Sequence, residues 1–322
     1  MITNSLRIDI SAIDAETDYF IYGLGYESRC LEVARRITAK TKFALQMPET
    51  DAHRFRQNFA EAKAAGHTIV HPFPDFLTII DEIFEGADRS PLTITVDISA
   101  INRTMMFALL SRIGLRCRYT DRIRIYYVPA AFDEPDWRFP QIERLGPVSS
   151  EYSGFDADPS RPLCLILGLG FEPGVSMGII SQLEPTISFC FWGAGTDSRF
   201  ESAVKRANFD FKFTGFNTRT SPYLIFDPVG AFVALESLVY GLVQDFNVVI
   251  VPMGPKIFSF LAFLVSNRHP GKISVWRAQQ KQSAPFDAKV DSHAVYIELD
   301  VPAFSESSRR RLDLVSNTQL TT

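Results

Sequence analysis

Two loops carry the residue types that bind or transform small molecules. The first is Gly23-Leu24-Gly25-Tyr26-Glu27-Ser28-Arg29, with the counterpart Gly168-Leu169-Gly170-Phe171-Glu172-Pro173-Gly174. Each follows a short apolar run that reads as a strand. Paired glycines behind a strand let backbone turn tightly and approach a ligand, and the next helix opens with N–H groups that lack intrahelical acceptors. The full G-x-G-x-x-G dinucleotide fingerprint is missing, because the first loop has no third glycine and Gly174 stands one place late in the second. Glu27 and Glu172 occupy the same position in both loops. A carboxylate beside a phosphate cradle repels the phosphate, which disfavours simple pyrophosphate binding there. Three uses stay open for these glutamates: accepting hydrogen bonds from ribose hydroxyls or a base edge, general acid/base work, or favourable interaction with the dipole of the following helix.

The second loop is Asp97-Ile98-Ser99-Ala100-Ile101-Asn102-Arg103, with the counterpart Pro252-Met253-Gly254-Pro255-Lys256. Both end on a cation at the start of an apolar helix, where a positive side chain opposes the helix dipole. An anion at that end satisfies the N–H groups and the cation together. Arg103 and Lys256 are therefore candidate phosphate or carboxylate ligands, a solvated charge being the plain alternative. Asp97 can orient Arg103, act as a base or cap the helix. Pro252 stands in its place in the second half, so chemistry that needs Asp97 belongs to one half only. Asp227 ends a later strand and faces the same rim, where His71-Pro72 stands in the first half. Ser28 and Ser99 lack the G-x-S-x-G setting of an activated nucleophile. His53, His67, His71, His269 and His293 form no metal spacing.

The elements that hold these loops repeat along the chain. One constant offset relates Gly23 to Gly168, Gly25 to Gly170, Glu27 to Glu172 and Arg54-Phe55 to Arg199-Phe200. Arg54 and Arg199 open matching helices, and a shared structural pairing is the first reading of both. Farther on, HTIVHPFPDFLTIIDEIFEG parallels YLIFDPVGAFVALESLVYG at a larger offset (Pro72 on Pro228), which places a longer loop in the second copy around residues 211–222. Each copy then alternates strand and helix, ending on RIRIYYVPA or KISVWRA. Continuous apolar runs such as YFIYGL, LTITV, LCLILGL and NVVIV suit strands buried on both faces of a parallel sheet. The expected fold is α/β, two tandem Rossmann-like parallel-sheet units from an internal duplication. Residues 1–132 form the first unit, 133–161 a linker, 162–301 the second unit with an added C-terminal strand (HAVYIELDV), and 302–322 a solvated tail with an exposed Arg309-Arg310-Arg311 run.

Length and composition set the outer limits. At 322 residues the chain suits two domains of roughly 150 residues. A net charge of -4 argues against general duplex nucleic-acid binding, which needs an excess of Lys and Arg to displace counterions. Cys30, Cys117, Cys164 and Cys190 show no paired spacing and sit in or beside apolar runs, as buried thiols in a reducing cytosol do. The first residues show no charged-then-apolar leader, and no apolar run reaches the roughly 18 residues of a membrane span. A cytoplasmic protein without membrane contact is expected, with no bound metal and no certain cofactor.

The arrangement resembles the CARF (CRISPR-associated Rossmann fold) domains and the related SAVED domains, sensors of cyclic oligonucleotides in prokaryotic immunity. YGLGYESR and LGLGFEPG carry the likeness after the first strand. VDISAINR and VPMGPK are similar in position to that family's D-x-[ST]-G-G-T-K-like loop, although the Gly-Gly-Thr core is absent. The resemblance implies phosphate contacts from Arg103 and Lys256, with Gly25, Gly170 and Ser99 lining the pocket. Gly23, Arg29, Gly168 and Gly254 are further candidate ligand contacts of the same loops. It implies a nucleotide sensor of a prokaryotic anti-phage system, holding a small anionic nucleotide-type ligand between pseudo-symmetric halves and acting through a separate effector protein. Two other readings remain: a nucleoside or nucleotide hydrolase or glycosidase using Glu27, Glu172 or Asp97, and a duplicated scaffold without ligand.

Overall fold

The structure, a computed structural model, describes residues 1–48, 53–71, 75–86, 90–135, 137, 139–154, 158–209, 217–280 and 289–319. The chain opens with β1 (Ile2–Asp9), β2 (Glu16–Leu24), β3 (Thr38–Gln46), α1 (His53–Ala64), β4 (Thr68–Val70) and α2 (Asp75–Glu85). It continues through β5 (Thr93–Asp97), α3 (Arg103–Arg116), β6 (Arg122–Tyr127), β7 (Ile142–Pro147), β8 (Leu163–Gly168) and α4 (Val175–Leu183). Then come β9 (Ile187–Ala194), α5 (Ser198–Ala207), β10 (Thr218–Leu224), α6 (Pro228–Leu242), β11 (Asn247–Pro252) and α7 (Lys256–Arg268). The last elements are β12 (Ile273–Gln280), β13 (His293–Leu299) and α8 (Val301–Gln319).

These elements form an α/β fold of two compact units, residues 1–133 with 284–309, and residues 134–283 with 310–322. The first unit is built on a sheet of order β1-β13-β6-β5-β2-β3-β4, parallel from β6 to β4. The second has the order β10-β9-β8-β11-β12-β7, parallel except for β7. Counted within each unit, the parallel strands run third, second, first, fourth, fifth in both sheets. The strand order therefore reverses at β2/β5 and at β8/β11. Such a switch point leaves a crevice beyond the carboxyl ends of the two strands, and both candidate loops of each unit lie there.

Burial explains the apolar strand sequences. Phe20, Ile21 and Tyr22 are successive residues of β2 and all fully buried, so both faces of the strand are covered. Phe20, Tyr22 and Leu24 pack with Cys30, Leu31, Val33 and Ala34 of the following connection and with Phe55 of α1. In the second unit Leu165, Leu167 and Leu169 pack with Ile179 and Ile180 of α4 and Val204 of α5. Helix α7 is buried from Ile257 through Asn267, which fits a sequence that is apolar all round. Each such Leu, Ile or Phe contributes about 1.5–3 kcal/mol on leaving water.

Four expectations change. The His293–Leu299 strand belongs to the first sheet, antiparallel to β1 and β6, where it buries Val295, Ile297 and Leu299. The segment read as a linker supplies β7, paired antiparallel with β12, and a short 3-10 turn (Ser150–Tyr152) whose tyrosine is fully buried. The tail is helix α8, and Arg311, expected in solvent, is 4% exposed while Arg309 and Arg310 are exposed. Arg311 Nε donates to Asn267 Oδ1 at 2.8 Å and Nη1 to the Glu151 carbonyl at 2.6 Å, with the guanidinium over the Tyr152 ring. Last, the first crossover of the first unit is a short 3-10 helix (Ser28–Leu31) and turns, whereas its counterpart is the full helix α4. Pro72 and residues 211–216 of the longer loop lie outside the described residues.

Candidate functional site

In the first unit the two loops touch at the switch point. A Cβ on Gly23 would sit 2.7 Å from both the Ala100 carbonyl carbon and the Ile101 nitrogen. The glycine there admits protein backbone, so the space it leaves is filled by the second loop. Gly25 is held from below, its carbonyl accepting from Asn58 Nδ2 at 2.9 Å, and the same amide donates to the Glu27 carbonyl at 3.1 Å. Asn58 is a buried residue of α1.

A charged cluster ties these loops to the end of β6. Arg29, 7% exposed, donates from Nε to Glu27 Oε2 at 2.5 Å and from Nη1 to the Val128 carbonyl at 2.8 Å. Burial works against its charge, yet Glu27, Tyr127 and Asp97 hold its pKa above the ordinary arginine value. Burial also raises the Tyr127 phenol, with Arg29 opposing that shift. Asp97 is 1% exposed, and its Oδ1 accepts from the Ser99 N–H at 2.9 Å and from the Ser99 hydroxyl. Ser99 Oγ in turn accepts from the Val128 N–H at 2.7 Å. Arg29, Asp97 and Ser99 thus form a buried brace that fixes the loops. Glu27 precedes the 3-10 helix but makes no side-chain cap bond, so the capping use is not the one its carboxylate serves.

Helix α3 begins just beyond this brace. Its N-cap is Asn102, whose Oδ1 accepts from the Met105 N–H at 2.9 Å, and Arg103 is its first residue. Asp97 therefore does not cap α3. The next residue, Thr104, has a hydroxyl with no hydrogen-bond partner among the described residues. Arg103, Thr104 and the first-turn N–H groups form an end suited to an anion. Arg103 also lies within electrostatic reach of Tyr127. Sequence reasoning passed over Thr104 and the two positioning asparagines. Thr104 adjoins a cation at a helix start, a signal that was legible.

The second unit builds the same rim from different residues. A Cβ on Gly168 would lie 2.8 Å from the Met253 carbonyl oxygen, and Gly254, at φ +67°, packs on the Leu169 carbonyl. Gly170 is held by Asn208 Nδ2 at 3.0 Å, as Gly25 is by Asn58. The carboxylate of Glu172 folds against Gly170, and its Oε2 has no partner among the described residues. The N-cap of α4 is Gly174, so Glu172 does not cap through its side chain. Lys256 is the first residue of α7, after Pro255, which supplies no side-chain cap. Strand register sets Tyr22 beside Asp97 and Leu167 beside Val251, so the position matching Asp97 is Val251, one residue before Pro252. Either way the second unit lacks that aspartate.

Asp227 follows β10, a strand of the second sheet. It is the N-cap of α6, with Oδ1 accepting from the Gly230 N–H at 2.9 Å. Arg199 pairs with Asp197, the N-cap of α5, at 2.6 Å on the surface. The four cysteines are buried, and burial pushes each thiol up to about 12. Among the described residues no group of three His, Cys, Asp or Glu side chains could hold a metal ion, and no helix is long and apolar enough to cross a membrane.

No protein-family model matches this chain, and no curated protein sequence does. Matches occur among solved structures. One is a Type III CRISPR defence DNA nuclease activated by cyclic oligoadenylate, 9% identical at a TM-score of 0.43 over 79% of this chain. The match covers 64% of that nuclease, less than two thirds of its length. A second is an S-adenosylmethionine-dependent methyltransferase from Clostridium acetobutylicum, 7% identical at a TM-score of 0.20, over 37% of this chain and 45% of that one. A third is phosphoethanolamine N-methyltransferase 1 of Haemonchus contortus, 9% identical at a TM-score of 0.25, over 76% of this chain and 70% of that one.

Proposed function

We propose that this chain is a cytosolic nucleotide-binding regulatory module. The ligand is a small anionic nucleotide whose phosphate lies at the start of α3, against Arg103 and the Thr104 hydroxyl. The observation that carries this reading is the helix start itself: a cation opposing the dipole and an unpartnered hydroxyl stand together at a switch point. Lys256 serves the same role at α7. Glu172 offers an oxygen in want of a donor, which a ribose hydroxyl or base amine supplies.

Binding is favoured over catalysis by the state of two of the three candidate catalytic groups, Asp97 and Glu27. Asp97 is buried and bonded to Ser99, while Glu27 is paired with Arg29. Neither carboxylate is poised to exchange a proton with a substrate. The shared strand order and the matching Asn58 and Asn208 contacts support descent of the two units from one duplicated ancestor. A place in prokaryotic anti-phage defence, with action through a separate effector, rests on the resemblance of the loops to CARF domains.

A thermal-shift screen with mononucleotides, dinucleotides and cyclic oligonucleotides tests the reading, followed by chromatography of the recovered ligand. At least one nucleotide should raise the melting temperature and return unchanged. Consumption of the ligand would replace the regulatory reading with an enzymatic one, and the absence of any shift across the panel would remove the nucleotide.

A further inference from the structure

The second unit has a cleft at the other end of its sheet. The amino ends of β8, β11 and β12 enclose about 350 Å³ there, away from the rim that carries Glu172 and Lys256. Val243, Phe246 and Val248 give it a hydrocarbon lining, Trp276 adds an indole, and Arg161 and Lys272 bring positive charge. Among the described residues, no carboxylate lines it. Lys272 is exposed and makes no ion pair among the described residues. Arg161 is also exposed, with Asp158 3.7 Å from its Nε and the Val243 carbonyl 3.4 Å from its Nη1.

Trp276 adds an independent observation. Its indole N–H is sealed from solvent and has no acceptor among the described residues. Buried donors in native proteins are nearly always satisfied, so such an orphan asks for a partner from outside the chain. The volume lies at the small end of the range of about 300–1,000 Å³ typical of ligand pockets, which suits a body of one ring.

We propose that this cleft is a second binding site, for a small aromatic anion that carries a phosphate or carboxylate on one flat ring. The ring packs on Phe246 and the Trp276 indole, and the anionic head meets Arg161 and Lys272. A turn of the Trp276 side chain presents its covered N–H to an oxygen of the ligand. This site is separate from the nucleotide rim, and its occupancy does not depend on that reading.

Calorimetric titration of the full chain tests it, with phenyl phosphate and benzoate as probes and inorganic phosphate and benzyl alcohol as controls. Phenyl phosphate or benzoate should bind saturably at one site, and both controls at least about tenfold more weakly, because each keeps only half of the recognised chemistry. Lys272→Glu and Arg161→Glu should each weaken binding by about tenfold or more, and Trp276→Phe should weaken it while leaving the ring contact. Reversal of Lys63, an exposed charge of the first unit, should change nothing. Both charge reversals fall on exposed residues, so the fold survives them and circular dichroism verifies that. The site is overturned if neither aromatic anion saturates, if inorganic phosphate binds as tightly as phenyl phosphate, or if Lys63→Glu weakens binding as much as Lys272→Glu.

Discussion

Replacing Arg29 by methionine removes the brace that holds the two loops of the first unit. The guanidinium bonds there to the Glu27 carboxylate at 2.5 Å and to the Val128 carbonyl at 2.8 Å, and it also meets the Tyr127 phenol. Methionine fills much of the volume but leaves the carboxylate without its cation and the carbonyl without its donor. Removing one partner of a buried ion pair costs about 3–5 kcal/mol. The Glu27 side chain is 18% exposed, so water recovers part of its solvation and sets the value near the lower end, about 3–4 kcal/mol. The double variant Arg29→Met/Glu27→Leu should lose less than the sum of the two single losses, by about 1–3 kcal/mol, because the second change relieves the stranded charge. Urea denaturation followed by far-UV circular dichroism measures these differences. All three tryptophans lie in the second unit, so their emission follows that unit separately. A loss below about 1 kcal/mol for Arg29→Met, or strict additivity in the double variant, would refute the brace.

The asparagines give a paired expectation. Asn58→Ala and Asn208→Ala should each destabilise by about 1–3 kcal/mol through a loop carbonyl left without its donor, and Asn58→Asp should be worse, since a carboxylate would face the Gly25 and Glu27 carbonyls. Equal stability of Asn58→Ala and wild type in urea denaturation would count against that positioning role. A pH dependence follows from His67, whose Nδ1 lies 2.8 Å from the buried Tyr22 hydroxyl. Burial, and then the Lys42 charge, holds its pKa below the ordinary histidine value. Protons therefore prefer the unfolded chain, and the stabilisation is full above about pH 6.5 and lost as pH falls through the lower folded value. Melting temperatures between pH 7.5 and 5 should fall more steeply for wild type than for His67→Gln, and parallel curves would contradict the assignment.

Much of the fold was legible because its signals are local. Runs such as LCLILGL and NVVIV announce strands covered on both faces, and the recurrence of Gly23, Gly25 and Glu27 at Gly168, Gly170 and Glu172 marks both first loops. Sheet membership was not local. The apolar alternation of β13 identifies a strand, yet nothing within it says that β1 and β6, far back in the chain, are its partners. Helix α8 was hidden because it buries Ser305, Ser308 and Arg311 beside Phe304, a pattern that hydropathy reads as polar surface.

The site was half legible for a related reason. Arg103 and Lys256 were found at helix starts from the change of pattern alone, and the helices begin on those residues. Residue type could not tell that Arg29 pairs with Glu27 and Asp97 with Ser99 within the protein, since a buried brace and a polar pocket use the same side chains. Asp227 shows the same ambiguity, since a residue that faces the rim can also serve as a helix cap, as Asp227 does through its hydrogen bond to Gly230. The asparagines escaped notice because Asn58 lies within α1 whereas Asn208 follows α5, so one offset does not superpose them.

Equilibrium dialysis of the intact chain against the nucleotide selected by the thermal screen, for wild type and Arg103→Glu side by side, tests the central claim most directly. The α3 start should hold the phosphate, so wild type should retain the nucleotide and the charge reversal should weaken retention by about a hundredfold or more, with circular dichroism unchanged. Equal retention by the two proteins would contradict the account.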